Sequence, residues 1–593
     1  MPRIPAKAAT LVNAYSIVLL GLFLLQALHL ACDPSPLKAT VDFNDEGYWN
    51  HSARSKVLFG TFLPDDFNQG VAAAPLFTLV QWAVFSLCGV SIAAARVWSL
   101  VSLWLILLMS FDLLRRTFGV HKAMLGVLIL GLMHEMLLYA KWATPIMPEA
   151  CLLLGTFYFW ELGVAGHPAW MAASAVTYVA AILTKLTAIY CLPTLALFLA
   201  VSYWVRGDVD RRRVLCFLVS GTVAGALLVV CFFLPNYRAM CACVGAIGGP
   251  YLSGDSRAWW QIPKLILHFF YVIPLASPGA VFMMMLASLW LLAFTLQSFK
   301  AGFRTALQEI SRFEAYAVCW YLGCLPSLVI VPYRPNRRFA MFLVPFTLLA
   351  AAFVARTLGT RPRERSDPGL TRLPFWARAG VGLLLAGAWS RYALKAVEEA
   401  NLCWLSPVSL RIPRSASWVL AGICAAAAAW YCCSPRPRRA VVAVLCALFA
   451  VNLSLDAVWY GSATYTIRDT SRVLAEEAPS GRYYIGWWCF ELAMENQALP
   501  IYHPWNEAYH MNAWFADESQ TQPFLFNIIE QLDVIGDPLK SQDFPARFSP
   551  QRVRFVQRLE LCPLALGESV YRLQGRVYAV AASSPGRGKG VSH

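Results

Sequence analysis

Asp42-Phe43-Asn44-Asp45-Glu46-Gly47-Tyr48-Trp49-Asn50-His51, continuing Ser52-Ala53-Arg54-Ser55-Lys56, follows the first long apolar run of the chain. Paired carboxylates, a histidine and two aromatics crowd into ten residues beside strongly hydrophobic sequence. What they do there depends on whether that run crosses a membrane, and on which side it delivers them.

Composition answers the first part. Of 593 residues, 58% are hydrophobic and only 14% charged, with a mean hydropathy of +0.53. Soluble domains carry about one quarter charged residues, so the chain reads as a polytopic α-helical membrane protein. The net charge of +15 does not indicate nucleic acid, because Lys and Arg fall in short clusters between apolar runs, the pattern of cytoplasmic loops. The 17 cysteines are scattered without a C-x-x-C pair and read as small buried hydrophobes. Cys489 and Cys562 are the two that could pair in an oxidising space.

Apolar runs near the ~20 residues that cross a bilayer predict about thirteen spans, near 9–31, 93–113, 122–140, 147–164, 168–184, 187–204, 214–235, 277–298, 315–333, 338–355, 376–394, 416–433 and 440–459. The first lacks a small-residue cleavage pattern and reads as a retained span rather than a signal peptide. The run 71–90 decides the sidedness. If it lies on the membrane instead of through it, Arg115-Arg116, Arg206 with Arg211-Arg212-Arg213, Lys300 with Arg304, Arg361, Arg363, Arg365 and Arg372, and Arg436, Arg438 and Arg439 share the cytoplasmic side. Pro75 and Gln81 within it suit an interfacial or re-entrant helix. The N-terminus is then cytoplasmic. Loop 32–92, the turn near 141–146, loop 236–276 and everything after about residue 460 lie outside. Residues 1–460 form the transmembrane unit. Residues 461–593, with alternating patches at Arg482-Tyr-Tyr-Ile and Ser569-Val-Tyr and a helical stretch Ser471–Glu477, predict a small α/β extracytoplasmic C-terminal domain. Loop 357–375, rich in Arg and Pro, reads as a flexible connection.

On that outer side the opening stretch acquires chemistry. Asn44 can cap a helix starting at Asp45, whose dipole favours Asp45 and Glu46 in its first turn; this structural reading stands beside a catalytic one. A second carboxylate, Glu149 in Thr144-Pro145-Ile146-Met147-Pro148-Glu149, sits just inside an apolar helix, a costly place for a charge. Cations occupy the same face: Lys185 after Leu183-Thr184, Arg334, Arg337 and Arg338 against the positive-inside trend, and Arg257 and Lys264 beside Trp259-Trp260. Each has a bland alternative, such as snorkelling for Lys185. Together they suit a reaction in which an acid/base deprotonates an acceptor while cations stabilise an anionic leaving group. Tyr48 and His51 flank the acceptor side. Sugar transfer from a polyprenyl-phosphate sugar fits.

The sequence resembles the GT-C glycosyltransferases, the multi-span class that contains bacterial protein O-mannosyltransferases and the lipid A aminoarabinose transferase. The resemblance rests on Asp45-Glu46-Gly47-Tyr48 after the first span, Phe59-Gly60-Thr61-Phe62, the segment from Pro75, Pro145-x-x-Pro148-Glu149, Leu183-Thr184-Lys185 and Arg337-Arg338-Phe339. It implies a GT-C fold, Asp45 as the main acid/base, Glu46 and Glu149 supporting the pocket, and Lys185 and the outer arginines holding phosphate. It also implies inversion at the anomeric carbon. Relatives commonly carry a basic residue before the proline that Gly70-Val-Ala-Ala-Ala-Pro75 lacks, so either the phosphate contact comes from elsewhere or the donor chemistry differs. Asp45, Glu46 and Glu149 are oxygen donors of the kind Mg or Mn takes, a possibility in some members; no metal and no other cofactor is predicted.

The expected function is therefore an inverting, polyprenyl-phosphate-sugar-dependent glycosyltransferase at the outer face of a bacterial cytoplasmic membrane. The expected acceptor is a glycolipid, polysaccharide or protein. A flippase for lipid-linked sugars is the alternative, since intramembrane charges also mark transport paths, but no paired repeats with broken helices are evident. A non-catalytic assembly partner would tolerate loss of Asp45 and Glu149. The sequon Asn50-His51-Ser52 lies too near the candidate site to read as glycosylated. Trp487, Trp488 and His503 are candidates for sugar stacking, with core packing as the competing reading.

Overall fold

The computed structural model describes residues 6–34, 45–62, 73–238, 241, 278–330, 340–358, 437–477, 481–485, 489–501, 524–531, 553–560, 564–566, 569–571 and 573–580, with single residues between 380 and 428. Its helices are α1 (Ala6–Ala27), α2 (Asp45–Phe59), α3 (Pro75–Cys88), α4 (Ile92–Phe118), α5 (Val120–Gly131), α6 (His134–Ala140), α7 (Ile146–Ala165) and α8 (Ala169–Thr184). A 3-10 turn, Leu186–Cys191, leads into α9 (Leu192–Ala200). Then come α10 (Arg211–Leu228), α11 (Pro278–Ala301), α12 (Phe303–Glu309), α13 (Arg312–Ile330), α14 (Ala340–Thr357), α15 (Pro437–Gly461), α16 (Thr466–Glu477) and α17 (Cys489–Leu492). Predicted spans outside 376–433 fall on these helices. Arg257, Lys264, Arg334, Arg337, Arg338, Trp487, Trp488, His503 and Cys562 lie outside the described residues, as do loop 359–375 and most of loop 236–276.

Among the described residues five helices are long and apolar enough to cross a bilayer, or six if the bent pair α5 and α6, inclined by 64°, is one span. The run 71–90 yields only the 14-residue α3. At 1.5 Å per residue it reaches about 21 Å, short of the ~30 Å hydrocarbon core. Pro75 at its first position needs no N–H partner there. Its far side is amphipathic in the required sense: Phe77, Thr78, Gln81 and Phe85 are buried while Leu79, Trp82 and Leu87 are exposed. Exposed apolar side chains also run along α1 (Ile17, Leu20, Leu24) and α10 (Leu215, Val219, Val223, Leu227), faces that only lipid or another helix would cover.

Local signals start and stop these helices. Ser91 caps α4 by accepting from Ala94 N–H at 3.1 Å, and Asp210 caps α10 from Arg213 N–H at 2.8 Å. α4 ends in Arg115 and Arg116, both paired with Asp112, where the helix dipole favours cations. In the bundle, α7 packs on α8 and α4, and α14 on α11, α5 and α13. Phe157 stacks on Tyr316 at 4.4 Å between α7 and α13. At Gly323 a Cβ would stand 2.4 Å from the Thr194 backbone nitrogen, so the missing side chain lets α13 touch α9, as small residues do in membrane bundles.

Arg206, Arg213, Arg312 and Arg356 gather at one end of this bundle. Arg312 pairs with Glu161 at 2.7 Å, Arg206 donates to the Ile310 carbonyl at 2.7 Å, Arg213 to that of Gly163 at 3.0 Å, and Arg356 pairs with Glu314. These are the C-terminal ends of α7 and α14 and the segments joining their neighbours. Asp45 and Glu149 belong to the opposite end, where α4 and α7 begin.

Beyond α15 the chain forms a mixed five-stranded sheet in the order β2-β1-β3-β7-β4: β1 (Gly481–Ile485), β2 (Leu499–Ile501), β3 (Phe524–Gln531), β4 (Val553–Glu560) and β7 (Leu573–Val580). β1 runs parallel to β2 and β3, and β7 antiparallel to β3 and β4. A separate hairpin joins β5 (Leu564–Leu566) and β6 (Ser569–Tyr571). This region is tied to the bundle through Asp33. Its carboxylate accepts Thr464 Oγ1 at 2.6 Å, Thr466 N–H at 2.7 Å and Ile467 N–H at 3.1 Å, capping α16 from across the chain.

Candidate active site

The site is built around α2. Its sequence, DEGYWNHSARSKVLF, is polar throughout, yet Glu46, Gly47, Asn50, His51, Ser52, Ala53, Arg54 and Ser55 are all buried. Burial of that kind is tolerated only where each polar group is met. Glu46 receives Arg96 in a fork, Nε on Oε1 at 2.6 Å and Nη2 on Oε2 at 2.7 Å. Its Oε1 also accepts the Ala143 N–H at 2.8 Å. Arg96, 1% exposed, uses Nη1 on the Leu30 carbonyl at 2.9 Å and on that of Cys32. Asn50 donates to the Ala143 carbonyl at 2.7 Å and accepts from Gln81, which also reaches Ala95 O at 2.8 Å. Arg54 holds the carbonyls of Asn496 and Ala498 at 2.6 and 2.7 Å.

Asp45, partly buried, is the first residue of α2, and Glu46 and Asn50 of the same helix bond to Ala143 in the turn 141–145. That turn is also bound by Ser99, which donates to the Thr144 carbonyl at 3.3 Å. From it α7 departs, and Glu149 is in its first turn, buried to 1% exposure. Glu149 accepts from Thr187 Oγ1 at 2.7 Å and lies 3.7 Å from Lys185 Nζ. The backbone accounts for Lys185: α8 stops at Thr184, Lys185 turns to φ −161° and ψ 125°, and the 3-10 turn begins after it. A helix break at this level of the bundle brings a lysine and a threonine to a buried carboxylate. Tyr48 and His51 face the C-terminal region, with ring centroids 6.1 and 5.0 Å from that of Phe490.

The structure therefore brings together Asp45, Glu46, Tyr48, His51, Glu149 and Lys185 at one end of the bundle, in two linked groups. Glu46, expected to support the pocket, has its two oxygens engaged by Arg96 and the Ala143 N–H, which suits that role. The same pairings bear on the option of a divalent cation. Glu46 and Glu149 point at Arg96 and at Lys185 with Thr187, and no group of three potential metal-ligating side chains occurs among the described residues.

Arg96 has a visible sequence signal, a lone arginine inside the apolar stretch Ile92-Ala-Ala-Ala-Arg96-Val-Trp, though hydropathy alone places it in a span. Lys141 is a second buried cation at this end. It is 1% exposed, donates to the Leu28 carbonyl, and sits 4.2 and 4.9 Å from the Tyr460 and Trp459 rings. Burial pushes its ammonium down to about 8, against a smaller opposing effect of Cys32. Glu491 had no sequence signal at all; it accepts the Gly47 N–H at 3.0 Å. Behind the turn, His134 Nδ1 lies 2.7 Å from Asp456 Oδ1 at the α5/α6 bend.

With this geometry in hand, the likenesses to known proteins are informative. Residues 72–238 match the family described as dolichyl-phosphate-mannose-protein mannosyltransferase. The fold is similar to ArnT from Cupriavidus metallidurans in the apo state, at 17% identity and a TM-score of 0.53, covering 98% of this chain and 100% of that one. It is similar also to the same protein bound to undecaprenyl phosphate, at 17% identity and 0.51, covering 97% and 99%. No curated protein matches the sequence. The mannosyltransferase-family match over residues 72–238 thus lies within a chain whose fold is similar to that of ArnT along nearly its whole length.

Proposed function

We propose that the protein transfers a sugar from a polyprenyl-phosphate donor to an acceptor at the outer face of a bacterial cytoplasmic membrane, with inversion. The observation that carries this reading is the convergence of Glu149, Lys185 and Thr187 at a helix break, beside the turn that bonds to the first turn of α2. In one displacement, an acceptor hydroxyl or amine attacks the anomeric carbon while Asp45 takes its proton. The new glycosidic bond forms as the bond from that carbon to the lipid phosphate breaks, and the phosphate leaves with the electron pair. Lys185 offers an ammonium with three donors to the charge building on that phosphate. Arg257, Lys264, Arg337 and Arg338 are proposed to add to it. Glu149 orients Lys185, Glu46 fixes α2 through Arg96, and Tyr48 and His51 border the acceptor. No cofactor enters this scheme.

Several observations support the wider reading. Cations at the end of the bundle opposite the site suit a cytoplasmic end there. A protein of the same fold has been seen with undecaprenyl phosphate, so this architecture accommodates such a lipid. The finer architecture belongs to the proposal: about thirteen spans in residues 1–460, the outer loop 32–92 in the site, and an extracytoplasmic α/β domain over 461–593. The acceptor class is a glycolipid, polysaccharide or protein. Asp45→Asn should abolish glycoside formation, detected by mass spectrometry of glycolipids and glycoproteins, while the protein still folds in the membrane. Undiminished product from that variant refutes the assignment. Translocation of lipid-linked sugar in vesicles without glycoside formation would return the flippase.

A further inference from the structure

Helix α17 and the strand after it form a wall against α2 that the reaction scheme leaves unused. The approach is close: a Cβ on Gly47 would stand 2.4 Å from the Phe490 carbonyl carbon and 2.5 Å from the Glu491 nitrogen. Glycine is the one residue that lets the two backbones meet. At that contact the Glu491 carboxyl, 2% exposed, accepts the Gly47 N–H at 3.0 Å. A helix leaves its first N–H groups without internal partners, and here one of them is met from more than four hundred residues away.

Resting on the assignment of Asp45 above, we propose that Glu491 is a positioning residue of the transfer reaction: by holding the Gly47 N–H it fixes the first turn of α2 and so the place of Asp45. The charge environment gives the contact a pH dependence. From α2, Asp45 and Glu46 face Glu491, with Glu46 balanced by Arg96; His51 lies one turn further on and Arg54 is spent on backbone carbonyls. From the C-terminal side, Glu495 pairs with Arg472 of α16 at 3.4 Å and accepts the Ile92 N–H at 3.3 Å. Among the described residues no cation pairs with Glu491, and its Oε2 has no hydrogen-bond partner. Burial first, with smaller contributions from Glu46 and Asp45, holds the Glu491 carboxyl well above the usual range. Burial thus favours the protonated carboxyl, which keeps an acceptor oxygen on the Gly47 N–H without adding a negative charge beside Asp45 and Glu46.

The sign follows. The native state keeps a proton that the unfolded chain releases above about pH 4.3, so the native contact weakens relative to the unfolded chain as pH rises from there toward the folded value. Ionisation, displaced upward by burial, then places like charges side by side and loosens α2.

The test uses the full chain, reconstituted in membranes of a strain lacking it, with polyprenyl-phosphate sugars extracted from that strain as donor. Wild type, Asp45→Asn, Glu491→Gln and Glu491→Ala are compared from about pH 5.5 to about pH 9, a range that brackets neutral pH on both sides. Glu491→Gln keeps the acceptor and cannot ionise; it should match wild type at the acid end of that range and hold its rate where wild type loses its own as pH rises. Glu491→Ala should lose about tenfold or more in rate, the scale of a misplaced catalytic group, with undecaprenyl phosphate affinity unchanged. Hydrogen exchange of residues 45–51 should rise in Glu491→Ala and not in Glu491→Gln. Wild-type rate and pH profile in Glu491→Ala overturn the inference, as does a Glu491→Gln variant as slow as Glu491→Ala. Activity in Asp45→Asn defeats the underlying assignment instead, so the two failures are separable.

Discussion

Replacing Arg96 by methionine tests the architecture of the site without touching any group assigned to the reaction. The guanidinium is 1% exposed and Glu46 5%, so neither end of the pair is relieved by water. Methionine roughly fills the volume but leaves the Glu46 carboxylate with only the Ala143 N–H, and strips a donor from the carbonyls of Leu30 and Cys32. Breaking a buried pair by removing one partner costs about 3–5 kcal/mol, and each stranded carbonyl adds about 1 kcal/mol or more. Taking about 4 kcal/mol as the lower working figure, the folded-to-unfolded ratio falls by about a thousandfold, against a total stability of about 5–15 kcal/mol. Arg96→Met should therefore unfold far below wild type in detergent and lose transfer as α2 comes adrift. Adding Glu46→Leu removes the stranded carboxylate, leaving mainly the Ala143 N–H unmet at about 1–3 kcal/mol. The double variant should be more stable than Arg96→Met alone, a non-additivity that a double-mutant cycle reads directly. If Arg96→Met melts with wild type, or if the two changes simply add, the pair does not hold α2 and the account of the site fails.

Three further outcomes are expected. Lys185→Ala should weaken undecaprenyl phosphate binding by about tenfold, the ~1.4 kcal/mol of one charge-assisted contact; unchanged affinity in a lipid-binding titration would remove Lys185 from the phosphate site. Gly47→Ala drives a methyl into the Phe490–Glu491 backbone and should cost about 1–3 kcal/mol in thermal stability; a variant that melts and transfers like wild type would show that α2 and α17 do not meet as described. Lys141, depressed to about 8, is a Lys the native state prefers neutral, so its penalty is full below that value and wild-type stability should rise from about pH 8 to about 10.4 as the native ammonium loses its proton before the unfolded one. Lys141→Met should flatten that rise, and a slope unaffected by the substitution would count against it.

The bundle was largely legible because membrane helices announce themselves in apolar length, and because caps and breakers such as Ser91, Asp210 and Pro75 act locally. The brevity of α3 followed from Pro75 and Gln81 together with the charge distribution. Asp45 at the start of a helix and Glu149 at the start of another could also be read, since dipole and proline signals are local. The pairing of Glu149 with Lys185 was expected only as a shared face; the helix break that produces it at Lys185 has no strong sequence mark. What engages Glu46 was not legible in the sequence, for a physical reason. Its partner Arg96 is fifty residues away inside a hydrophobic run, and whether a carboxylate is reactive or consumed depends on a partner that periodicity cannot supply. Glu491 lies further still, and its role depends on a backbone contact that only Gly47 permits.

That contrast explains why the helix at the centre of the site looked unremarkable in sequence. α2 has no continuous apolar stripe: Ala53, Tyr48 and Val57 reach the core, but most of its buried residues are polar, and a helix of that kind is ordinarily a solvated one. It is seated instead by directional partners drawn from four places: Arg96 on α4, the turn 141–145, Gln81 on α3 and the segment 489–498. Directional contacts define a position more narrowly than apolar burial, which tolerates sliding. A catalytic acid/base must be held within hydrogen-bond reach of one proton, and misplacement by about 1 Å can cost about a hundredfold in rate. The buried polar sequence that made α2 hard to read is thus the means by which Asp45 is kept in place, and its dependence on residues near both chain ends makes the C-terminal region part of the site's construction.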